Sequence, residues 1–85
     1  MKSTYSMIIL NRIRSLCEQR GITINGLAEM SGVRQSTIHN LVSGASKNPQ
    51  IRTLHKIAIA FNTMIAEFLD YPELNNYSFE DENEE

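Results

Sequence analysis

The chain has 85 residues, 41% of them hydrophobic and 21% charged, which leaves room for one small core and excludes two. Its formal net charge of −2 hides a division: residues 1–66 carry eight bases against two acids, whereas residues 67–85 carry eight acids and no base. No apolar run approaches the ~20 residues of a membrane span, and a lone cysteine excludes an internal disulfide.

A basic body with an acidic end is the asymmetry associated with nucleic-acid binding and an appended tail, although solvation alone also produces such halves in some small domains. The lone Cys17 points to a reducing cytoplasm. The apolar run Met7 to Leu10 is too short for a secretory signal.

Residues Tyr5 to Arg20 read as a first helix, because Ile9, Ile13, Leu16 and Cys17 recur at helical spacing. Gly21 closes it, since a left-handed terminus costs glycine little. Thr23 is the expected N-cap of a second, short helix with Leu27, Ala28 and Met30 inward, broken at Ser31-Gly32. A third helix begins near Arg34 and ends at Gly44. Ile38, Leu41 and Val42 share one narrow arc of it, while Ser36, His39, Asn40 and Ser43 face the other way. The polar loop Ala45 to Gln50 follows.

A fourth helix is expected from about Arg52 to Phe61, with Ile51, Leu54, Ile57, Ala58 and Phe61 on one stripe and Asn62 as terminator. Met64 to Asp70 makes a fifth, with Phe68 inward, which Pro72 should stop. The expected organisation is an all-α, five-helix domain over residues 1–74 and a flexible acidic tail over 75–85.

The second and third helices, joined by a tight glycine turn, have the proportions of a helix-turn-helix. The third is short, anchored by its apolar arc, and polar outside with groups that pair with base edges. From periodicity alone, a solvated polar face on an ordinary bundle fits equally well.

The motifs between Ile9 and Leu69 go further. In order stand Arg12-Ile13-Arg14, Gly21-Ile22-Thr23, Leu27-Ala28, Gly32-Val33, Ser36-Thr37-Ile38, Gly44 and Lys47-Asn48-Pro49. After them come Thr53-Leu54, Ile57-Ala58 and Phe61. This series closely resembles the lambda repressor-like (Cro-like, XRE) helix-turn-helix family. The resemblance implies sequence-specific operator binding by a homodimeric transcriptional regulator, of the repressor type, with double-stranded DNA as partner. It also implies a recognition helix over residues 34–43. Gln35, Ser36, His39 and Asn40 would then read bases, and Thr23, Arg34, Ser46, Lys47 and Asn48 would hold the DNA backbone.

This chain departs from the family pattern at several places. Ile24 stands where a phosphate-contacting Gln is usual, Gly26 lies inside the second helix, and Arg34 occupies the usual place of a small capping residue. Cys17 and Val42 occupy positions where many members carry a buried Arg–Glu pair; both have become apolar together, which is compatible with an intact core. Two other readings of the same fold stay open: a protein-interaction module that has lost operator binding, and the antitoxin of a toxin–antitoxin pair.

Catalysis has little to stand on. Cys17, His39 and His55 cannot supply three or four zinc ligands at motif spacing, and no glycine-rich phosphate loop is present. The expectation is no enzyme, no metal, no cofactor, no small-molecule ligand and no membrane contact.

Overall fold

The computed structural model describes residues 4–81. Their elements are α1 (Tyr5–Arg20), α2 (Ile24–Ser31), α3 (Gln35–Ser43), α4 (Ile51–Ala60), α5 (Ile65–Leu69), α6 (Pro72–Asn75) and a 3₁₀ turn at Phe79–Asp81. The described residues contain no strand, so the all-α expectation holds.

The local chemistry explains where each helix starts and stops. Thr4 and Thr23 cap α1 and α2, their hydroxyl oxygens accepting from Met7 N (3.3 Å) and Gly26 N (2.9 Å). Gly21, Gly32 and Gly44 end the first three helices in the left-handed region, and Asn62 does so after α4 with φ 61°. At α5 the Glu67 carboxylate accepts from the Met64 N–H at 3.1 Å, satisfying a donor that the helix leaves free.

Among the described residues six helices stand where five were expected. Pro72 opens α6 instead of merely stopping α5. Proline lacks the N–H that the first helical position leaves unpaired, and its fixed φ suits that position. The Asn75 amide then donates to Asp70 Oδ1 at 2.8 Å, tying the end of α6 to the residue that ends α5.

One core holds these elements together. Ile13 from α1, Leu27 from α2, Ile38 from α3, Ile57 from α4, Phe61 and Phe68 are essentially fully buried. Phe61 and Phe68 stack with ring centroids 6.4 Å apart. Cys17 and Val42 both lie in this cluster as packed apolar side chains. Met30, expected inward, is instead 55% exposed, because α2 turns its Leu27–Ala28 face to the core.

The C-terminal segment returns to α1. Tyr71 is buried, and its hydroxyl donates to the Ile8 carbonyl at 3.2 Å. Tyr77 and Phe79 pack on Tyr5, with centroid separations of 5.1 and 5.3 Å. The contacts of residues 77 and 79 thus fall within the stretch expected to be a tail; residues 82–85 lie outside the described residues.

Candidate nucleic-acid interface

Helix α3 is held by Ile38, Leu41 and Val42 in the core, which forces the intervening residues outward. Gln35, Ser36, His39 and Asn40 are all exposed. The helix begins at Gln35, one residue later than expected, and Arg34 is its N-cap without a side-chain cap bond. The first N–H groups of α3 therefore have no acceptor within the helix or on a capping side chain, and this positive dipole end lies among the exposed Arg34, Gln35 and Ser36. Such a terminus attracts phosphate.

The loop after α3 folds back on that helix. The Asn40 carbonyl accepts from Ser46 N at 3.0 Å and from Ser43 Oγ at 3.3 Å. These bonds bring Ser46 beside the last turn of α3, with Lys47 and Asn48 exposed next to it. Thr23 lies elsewhere, at the start of α2. Its Oγ1 accepts the capping bond, which leaves the hydroxyl proton for another acceptor. Ile24 beside it packs against the core as a half-buried side chain.

Among the described residues the cations fall into two sets, which the sequence does not distinguish. The three α1 arginines at 12, 14 and 20 are committed to backbone carbonyls at the C-terminal ends of other helices. Arg12 donates to the carbonyls of Phe68 (3.1 Å) and Glu67 (3.3 Å) near the end of α5, and its guanidinium lies 4.7 Å from the Tyr71 ring centroid. Arg14 donates to the Val42 carbonyl near the end of α3. Arg20 donates to the Phe61 carbonyl after α4. Each reaches a carbonyl near the C-terminal end of a helix, the Glu67 one also accepting from Asp70 N, and places positive charge at the negative end of a helix dipole. The basic first helix is thus the frame onto which α3, α4 and α5 are fastened.

Arg34, Lys47, Arg52 and Lys56 form the second set. All four are exposed, and no hydrogen bond or ion pair engages their side chains among the described residues. No acid occurs between Glu29 and Glu67, so this whole stretch is uniformly positive. Sequence reasoning missed Arg52 and Lys56 as site candidates. Their signal was an i, i+4 spacing off the apolar stripe of α4.

Other titratable groups have structural surroundings. Burial pushes the Cys17 thiol up, which suits a core residue and not a nucleophile. Burial also raises Tyr71 to about 12, opposed by the neighbouring Arg12 charge. No helix among the described residues is long and apolar enough to cross a membrane.

A Cro/C1-type HTH DNA-binding domain model matches residues 12–73. Similar solved structures include the prophage Lp1 protein 11, 31% identical with a TM-score of 0.76, covering 88% of this chain and 97% of that one. Another is an HTH_3 family transcriptional regulator from Vibrio cholerae, 28% identical with a TM-score of 0.68. That match covers 76% of this chain but only 36% of the other, so the chain spans about a third of that regulator's length. No curated protein matches.

Proposed function

The chain belongs to the Cro/C1-type helix-turn-helix DNA-binding family, and on that premise we propose that it binds operator DNA sequence-specifically as a transcriptional regulator. The observation that carries this reading is the outer face of α3. It presents Gln35, Ser36, His39 and Asn40 to solvent, starting at the free positive end of the helix, with exposed Arg34 before it and Lys47 after it. An amide pairs bidentately with adenine N6 and N7 in the major groove, and the hydroxyl and imidazole reach neighbouring edges. Arg34, Lys47, Asn48, Ser46 and the free hydroxyl proton of Thr23 hold phosphates, which sets register without reading sequence.

A single domain of this size reaches about half an operator, so the working form we propose is a two-fold dimer with recognition helices ~34 Å apart. Apolar surface at Ile59 (65% exposed) and Met64 (69%), flanking the α4–α5 turn, supports such a contact. Sedimentation of an Ile59→Glu, Met64→Glu chain should give a monomer; an unchanged dimer places the contact elsewhere.

Selection of bound fragments from a random duplex pool tests the function. One sequence class should be enriched. If a dimer neutralises about six phosphates, affinity for that class should fall roughly 10³-fold between about 50 and 200 mM salt. A pool that yields no enriched sequence favours the protein-interaction reading, for which the loss of the α2 amide side chain at Ile24 speaks.

A further inference from the structure

Beside the recognition helix lies an open pocket whose α4 side, with Arg52 and Lys56, the family resemblance leaves unassigned. It is bounded by Gly32, Val33 and Arg34 from the α2–α3 turn, Thr37 from α3, and Gln50, Arg52, Thr53 and Lys56 from α4 and its cap. Among the described residues every other side chain at its rim is neutral, and no carboxylate faces it.

Three cations around one solvent-filled hollow repel one another. Arg52 and Lys56, one helical turn apart, do so as an i, i+4 pair of like charge. The fold gives this repulsion no internal remedy: the α1 arginines reach helix-end carbonyls, whereas these three side chains reach nothing among the described residues. The pocket therefore suits an anion. Its hydroxyls (Thr37, Thr53) and the Gln50 amide are the neutral partners that phosphate oxygens accept from.

We propose that Arg34, Arg52 and Lys56 grip a backbone phosphate of the bound duplex, so that α4 holds the DNA alongside the recognition helix. This rests on the operator-binding reading above. The pocket is shallow and open, which suits a phosphodiester on a long polyanion better than a small phosphorylated ligand, which is usually enclosed. Continuity settles the choice of occupant. Arg34 is the N-cap of α3 and Thr37 belongs to its first turn, so the pocket begins where the base-reading face begins. A phosphate seated there would also meet the free N–H end of α3. The functional consequence is tighter positioning without altered base preference, because phosphate contacts carry no sequence information.

The test uses the full chain, an Arg52→Ala, Lys56→Ala variant and the charge-conserving Arg52→Lys, Lys56→Arg variant. Each is titrated with the enriched duplex at several salt concentrations by fluorescence anisotropy. Both residues are exposed, so the fold should survive, which circular dichroism checks. The alanine variant should flatten the slope of log affinity against log salt by about one to two, at about 0.9 for each phosphate that is no longer neutralised. The ranking of duplexes differing at single base pairs should not change, and the charge-conserving variant should restore the slope. Phosphate ethylation that interferes with the wild-type chain at the affected position should cease to matter for the alanine variant. Tight wild-type binding with an unchanged slope and an unchanged ethylation pattern would overturn the proposal while leaving operator binding intact. A wild-type chain that binds no duplex, yet whose pocket amides shift with inorganic phosphate, would overturn the assignment to DNA and the operator reading with it.

Discussion

Gly26 lies in the third position of α2, where glycine costs a helix about 1 kcal/mol relative to alanine. Replacement by alanine therefore looks stabilising, but the structure argues otherwise. A Cβ built there would sit 3.0 Å from Thr23 Oγ1, the oxygen that caps α2 by accepting from the Gly26 N–H at 2.9 Å. The only other near atom is Ile22 Cγ2 at 3.8 Å, an ordinary contact. Alanine obliges the hydroxyl to give way by a few tenths of an ångström, which strains the capping bond and can forfeit up to the roughly 1 kcal/mol that such a cap contributes. Gly26→Ala alone should therefore change stability by less than about 0.5 kcal/mol, the gain in propensity offsetting the cap. Thr23→Ala alone should lose about 1 kcal/mol. In that background no hydroxyl remains to be displaced, so adding Gly26→Ala should recover about 1 kcal/mol. Urea unfolding of the four chains by circular dichroism gives the coupling energy directly, about 1 kcal/mol in size. If Gly26→Ala gains the same full kilocalorie with and without Thr23, the cap is not what the glycine protects.

Three further outcomes follow from other parts of the molecule. Arg20→Ala should cost about 1–2 kcal/mol in chemical denaturation, through removal of the bond to the Phe61 carbonyl and of the guanidinium 5.8 Å over the Phe61 ring, and should leave the salt slope of DNA binding unchanged; a flattened slope would place Arg20 on DNA. Tyr71 keeps its proton to about 12 in the folded chain against 10 for a free phenol, so its contribution is complete below about pH 10 and is lost between 10 and 12. On the order of 2–3 kcal/mol of alkaline stability loss should vanish in Tyr71→Phe, measured by urea unfolding across that range. Tyr5 contacts Phe79 and lines the same groove as Asn48, so the acidic end starts beside the loop proposed to hold DNA. A chain ending at Phe79 should bind random duplex more tightly at about 10 mM salt, with the gain gone near 0.2 M; equal affinities at low salt would reduce the segment to a solvated end.

The parts of this fold that were legible in the sequence are those set by local chemistry. Thr23, Gly21, Gly32, Gly44 and Asn62 announce helix ends through capping and positive φ, and Ile38, Leu41 and Val42 announce the buried arc of α3. Pro72 misled because the same residue that terminates one helix is favoured at the first position of the next. The arginines of α1 were opaque for a different reason. A guanidinium that seeks phosphate and one that seeks the carbonyl end of a distant helix look identical in sequence. Only the packing of α1 against α3 and the C-terminal helices separates them. Arg52 and Lys56 were missed by the converse effect, since their pocket is completed by Arg34, which is distant along the chain.

The central claim is that the outer face of α3 reads bases while the surrounding cations only hold phosphate. Its most direct test compares Gln35→Ala with Lys47→Ala on the enriched duplex and on its single-base-pair variants. Gln35→Ala should lose about 1–3 kcal/mol on the preferred sequence and become indifferent to one base pair, whereas Lys47→Ala should weaken every duplex evenly and flatten the salt slope by about one. If Gln35→Ala weakens all duplexes alike and leaves the preference at every base pair intact, α3 does not read the operator through Gln35 and the central claim fails.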